Sequence, residues 1–89
     1  MPRVPSAAAA HIGTQIVRAR QGRKMTQDQL AAATGIDSSN IRSYEGGRAT
    51  PSIHSLVRIA VALDVEPGSL IEGLTLAHFA PTTRSRRAS

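Results

Sequence analysis

Ser39, Arg42 and Ser43 recur at three- and four-residue spacing between Asp37 and Gly46, with Ile41 just before Arg42 and Tyr44 just after Ser43. At about 100° per residue, this spacing predicts a short helix over Ser38 to Gly46. Ile41 and Tyr44 fall on one side of it, and two hydroxyls and a long cation on the other. The outward face offers donors, acceptors and a guanidinium fork, so its chemistry is the recognition of something polar and anionic. The major groove of DNA fits that description, because it admits one helix and presents donors and acceptors along its floor.

Other chemistries find no matching residues. His11, His54 and His78 fall in separate elements with no two on one helical turn, so they read as surface histidines and no metal is expected. Cysteine is absent, which excludes disulfides and thiolate metal sites and leaves the redox compartment open. No Ser-His-acid arrangement or glycine-rich phosphate loop can be picked out, and Gly46-Gly47 reads as a helix terminator. Neither an enzyme nor a cofactor is expected.

The chain has 89 residues, enough for one small domain with loose ends. Tyr44 and Phe79 are its only aromatics, so the core must come from Ile, Leu, Val and Ala on closely packed helices. The net charge is +5, and it is unevenly placed. From Ile12 to Arg48, Arg18, Arg20, Arg23, Lys24, Arg42 and Arg48 face Asp28, Asp37 and Glu45. From Ala49 to Gly73, Arg58 stands against Asp64, Glu66 and Glu72. The first half is therefore the anion-facing half, and Arg84, Arg86 and Arg87 add unspecific attraction. No apolar run reaches the length of about 20 residues that a membrane helix needs, and Ala7 to Ala10 is too short for a signal peptide. A soluble cytoplasmic protein is expected.

In chain order, residues 1–6 with Pro2 and Pro5 predict a flexible arm. Ser6 can cap helix one, Ala7 to about Gly22, where Ile12, Ile16 and Ala19 make the apolar stripe. Arg20 lies on the same stripe, and a charge at the edge of a core needs a partner. Thr26 caps helix two, with Leu30, Ala31 and Thr34 on one face and Gln27 in the exposed first turn; Gly35 ends it in the left-handed conformation. Asp37 is expected to cap helix three. Gly46-Gly47 and Pro51 separate it from helix four, which Ser52 caps and whose Ile53, Leu56, Ile59, Ala60 and Leu63 form a broad inward stripe. Glu66-Pro67 reads as the start of helix five, with Leu70 and Ile71 inward and an end near Gly73. The expected fold is all-α: a compact five-helix bundle over residues 7–73. Residues 74–80 are too apolar to dangle, and either fold back on their own core or cover a twin subunit. Residues 81–89 read as a disordered basic tail.

Five short helices, the second and third forming a helix-turn-helix, resemble the lambda-repressor and Cro family of DNA-binding domains, the xenobiotic-response-element class. The likeness runs from about Ile12 to Gly73. It rests on Ile12-Gly13, Arg20, Thr26-Gln27 with Leu30-Ala31, Gly35-Ile36, Ile41, Tyr44-Glu45, Gly47, Pro51-Ser52, Leu56, Ile59-Ala60, Ala62 to Val65 and Leu70, in order and without a gap. The resemblance implies that Gln27 meets a backbone phosphate or the first base pair. It implies that Ser38, Ser39, Arg42 and Ser43 meet base edges, that Asn40 reaches a phosphate or a base, and that Arg48 clamps the backbone. It further implies an ion bridge between Arg20 and Glu45, which supplies the partner Arg20 needs.

Two departures stand out. Lys24 occupies the place where relatives of this class carry glycine, which leaves the end of helix one open. The reading face carries short serines, so Arg42 alone has the length and fork geometry to engage guanine with two hydrogen bonds. The function expected is a sequence-specific regulator of transcription, a repressor binding a palindromic operator of double-stranded DNA as a homodimer. The alternative is a protein-interaction module, such as the antitoxin of a toxin-antitoxin pair that also binds its own promoter.

Overall fold

The computed structural model describes residues 6–79. The expected arm apart from Ser6, together with Ala80 and the basic tail over 81–89, lies outside the described residues. Among the described residues four α-helices form in chain order: α1 Ala7–Gly22, α2 Gln27–Thr34, α3 Ser38–Glu45 and α4 Ile53–Leu63. No strand occurs among the described residues.

The helix starts follow local chemistry. Ser6 Oγ accepts from the Ala9 amide, and Ser52 Oγ accepts from the Ser55 amide. At α2 the cap is reciprocal: Thr26 Oγ1 accepts from the Gln29 amide at 3.0 Å, and Gln29 Oε1 accepts from the Thr26 amide at 2.8 Å. Asp37 corrects the expectation for α3. It holds the N-cap position but its side chain makes no capping hydrogen bond, so its contribution is limited to the favourable placing of a carboxylate at the positive end of the helix.

The helix ends are equally specific. Gly35 closes α2 at φ 75°. Helix α1 stops at Gly22 because Lys24 turns left-handed at φ 59°, letting the Lys24 amide reach Gln21 O and the Met25 amide reach Arg20 O. Lys24 thus fills the left-handed place of a Schellman turn that glycine would occupy at less cost.

One cluster makes the core: Ile12 and Ile16 of α1, Leu30 of α2, Ile36, Ile41 of α3, Leu56, Ile59, Ala60 and Leu63 of α4, and Leu70. Helix α1 packs on α3, while α2 packs on both α3 and α4. The stripe on α4 is narrower than its composition suggests: Ile53 is 76% exposed. Val57 and Val61, one and two turns further along the same side, are exposed as well.

The five-helix count is also corrected. Residues Pro67–Leu70 make only a 3-10 turn, with the Ser69 amide bonded to Glu66 O and the Ile71 amide to Gly68 O. Gly68 is a poor helix former, and so short a segment recovers little of the cost of nucleation. Leu70 is buried there, but Ile71 is exposed rather than inward. In the apolar segment after Gly73, Leu74 packs against the core, whereas Leu76 and Phe79 are 86% and 56% exposed.

Candidate nucleic-acid interface

Two contacts set α3 against the body of the domain. The first is with α1, where a Cβ on Gly13 would stand 2.4 Å from the Tyr44 carbonyl oxygen and 2.8 Å from that of Glu45. Only glycine lets the two helices come so close. A glycine inside a good helix former's run was the available signal, since glycine there costs about 1 kcal/mol against alanine and is kept for a reason.

The second is a polar network behind α3. Arg20 donates from Nε to Glu45 Oε2 at 2.6 Å and from Nη2 to Glu45 Oε1 at 3.0 Å. Its Nη1 donates to Met25 O at 2.7 Å. The side chains of Arg20 and Glu45 are 14% and 4% exposed, so the pair is nearly dry and each charge depends on the other. Gln27 joins the same carboxylate, its Nε2 donating to Glu45 Oε1 at 2.9 Å. The carboxamide thus ties the first turn of α2 to the last turn of α3. Its Oε1 and second N–H are not used in this bond.

The front of α3 is open. Ser39, Asn40 and Arg42 are exposed, and Ser38 and Ser43 half-buried. Ile41 is fully buried and Tyr44 packs on the core, so the opposite side of the helix is fixed. Beyond α3, Gly47 takes φ 75°; its amide bonds Tyr44 O and the Arg48 amide bonds Ser43 O at 2.9 Å. This Schellman turn places Arg48, exposed, at the carboxyl end of the same helix. Gln27 and Glu45 are thereby drawn together between the start of α2 and the end of α3, with Arg48 held to α3 through the backbone. Among the described residues no side-chain hydrogen bond or ion pair joins Ser38, Ser39 or Asn40 to that group. Each stands on α3 alone.

Nothing in the sequence pattern assigns Asp28 to this face, yet its Oδ1 lies 3.9 Å from Arg42 Nη1. An acid in the first turn of α2, next to Gln27, is the only hint of it. Nor did the sequence bring two histidines together, yet the rings of His11 and His78 lie 4.9 Å apart between centroids. His11 Nε2 also donates to Glu72 O. Among the described residues no group of three or more His, Cys, Asp or Glu side chains could hold a metal ion.

The sequence from residue 16 to residue 70 matches the helix-turn-helix family HTH_3, and the chain belongs to it. It is similar to the uncharacterized HTH-type transcriptional regulator y4dL of Sinorhizobium fredii, 43% identical over 56 residues, which are 63% of this chain and 29% of that protein. The chain therefore spans less than a third of that relative's length. Among solved structures, the restriction-modification controller protein C.AhdI of Aeromonas hydrophila superposes with a TM-score of 0.70 at 30% identity, covering 72% of this chain and 97% of that one. The biofilm regulator SinR in complex with DNA superposes with a TM-score of 0.66 at 31% identity, over 68% and 98% of the two chains. SinR has also been solved in complex with SinI, with a TM-score of 0.68 at 28% identity over 74% and 65%.

Proposed function

We propose that this chain is a sequence-specific regulator of transcription that binds double-stranded DNA through α3, acting as a repressor on a palindromic operator as a homodimer in the cytoplasm. The observation that carries the reading is the two-sidedness of α3: exposed Ser39 and Arg42 with half-buried Ser43 in front, and the nearly dry Arg20–Glu45 pair with Gln27 behind. A helix so braced presents its outer side chains at a fixed tilt, which base reading requires. Arg42 reads guanine, Ser38, Ser39 and Ser43 meet base edges at short range, Gln27 meets a phosphate or the first base pair, Asn40 a phosphate or a base, and Arg48 clamps the backbone. The likeness to SinR, solved with DNA, supports this assignment.

Dimerisation draws support from where the apolar surface lies. Among the described residues the exposed large hydrophobic side chains are Ile53, Val57 and Val61 on α4, then Ile71, Leu76 and Phe79; none is on α2 or α3. A twin subunit seated there would leave both reading helices free, and two-fold symmetry would match half-sites about one helical turn apart. The test is titration of a selected operator and a random duplex at matched salt, repeated across salt concentrations. Tighter binding to the operator and a steep fall with salt are expected; equal affinity for both duplexes contradicts the reading.

A second reading, a module that chiefly holds a protein partner such as a toxin, is favoured by SinR having been solved with SinI and by the exposed stripe on α4. Recovery of a stoichiometric heterologous partner whose binding is lost in Val61→Asp would support it.

A further inference from the structure

We propose that Asp28 is a specificity-determining residue, which positions Arg42 for guanine and penalises binding to DNA that lacks the guanine; this rests on the DNA-binding reading above. Asp28 is the second residue of α2 and Arg42 the fifth of α3, so the contact crosses the helix-turn-helix from one element to the other. Asp28 Oδ1 approaches Arg42 Nη1 at 3.9 Å, and the side chains are 83% and 51% exposed. The link is loose and wet. It contributes little to folding.

Its geometry suits recognition instead. The carboxylate lies on the Nη1 side of the guanidinium at ion-pair distance, without a hydrogen bond, which leaves the side-on fork of Nε and Nη2 to present two N–H groups to O6 and N7 of guanine. Arg42 otherwise ends in a long, freely rotating stem, and an acid beside it narrows the rotamers from which it can bind. The other acid at this junction, Glu45, is already neutralised by Arg20 at 2.6 Å, so Asp28 is the acid left to answer Arg42.

The same carboxylate acts against the wrong sequence. On a duplex without the guanine, Arg42 would be drawn to a phosphate, and leaving Asp28 would set an unpaired negative charge against the DNA backbone. On the cognate site Arg42 stays beside Asp28 while it reads the base. Asp28 therefore lowers affinity for random DNA more than for the operator.

The experiment measures the ratio of random-duplex to operator dissociation constants for the full chain, for Asp28→Ala, Asp28→Glu and Arg42→Ala, and for Asp28→Ala in the Arg42→Ala background. Thermal melts accompany each variant. The expected result is a ratio lowered about threefold to fivefold by Asp28→Ala, the fold-change of an exposed ion pair, with preference lost at the base read by Arg42. Asp28→Glu keeps most of the ratio, and Asp28→Ala changes it no further once Arg42 is gone. An unchanged ratio in Asp28→Ala, or an equal drop with and without Arg42, overturns the role of Asp28 alone. A wild-type chain that does not distinguish the duplexes overturns the DNA-binding reading together with it.

Discussion

Gly13 of α1 and Tyr44 of α3 meet backbone to backbone, so that a single added methyl group would stand 2.4 Å from the Tyr44 carbonyl oxygen. Neither partner is the far end of a flexible side chain, and the clash can be relieved only by moving one helix. Gly13→Ala is expected to lower stability by about 1–3 kcal/mol despite alanine's better helix propensity, and to weaken DNA binding by displacing α3. Urea denaturation, with DNA titration of the folded fraction, checks both parts.

The nearly dry pair of Arg20 and Glu45 predicts asymmetry between single and double replacements. Glu45→Ala leaves a largely buried guanidinium with only the Met25 carbonyl as partner and frees Gln27, and is expected to cost about 3 kcal/mol. Arg20→Met with Glu45→Leu removes both charges and should recover much of that loss. Denaturation midpoints of the two singles and the double give the comparison.

At Lys24 the prediction runs the other way. The residue sits at φ 59° with its amide and that of Met25 closing α1, a conformation costly for any side chain. Lys24→Gly is expected to raise stability by about 1 kcal/mol and leave the binding preference unchanged, as a thermal melt and a base-scanned binding assay would show.

How much of this was legible follows from the range over which each cause acts. Ser6, Thr26 and Ser52 capped their helices as read, and Gly35 turned left-handed, because caps and turns are decided by neighbours in sequence. The inward positions of Ile16, Leu30, Ile41, Ile59 and Leu63 follow from period alone. What escaped depends on distant partners. Ile53 carries the right period but meets nothing at the start of α4, and Pro67 marks a start without securing a full helix. Asp37 had the right type and place for a cap, yet its side chain makes no bond there. The inward turn of Gln27 and the approach of Gly13 to Tyr44 require knowing where α3 lies.

The apolar side of α4 yields a prediction about assembly. Val61 is 73% exposed, so Val61→Asp should leave the melting temperature at high dilution nearly unchanged. At concentrations where the wild-type chain is dimeric, the variant should sediment as a monomer, and its affinity for a full palindrome should fall to that for a half-site.

On the proposed function, the outer face of α3, led by Arg42, reads DNA sequence from two symmetric subunits. Selection of bound duplexes from a random DNA pool, run in parallel on the wild-type chain and Arg42→Ala, tests it most directly. The predicted result is an enriched palindrome with half-sites about one helical turn apart, and a guanine in each half-site that loses its enrichment in Arg42→Ala. A wild-type pool with no enriched sequence, or one whose preference survives intact in Arg42→Ala, would contradict the claim.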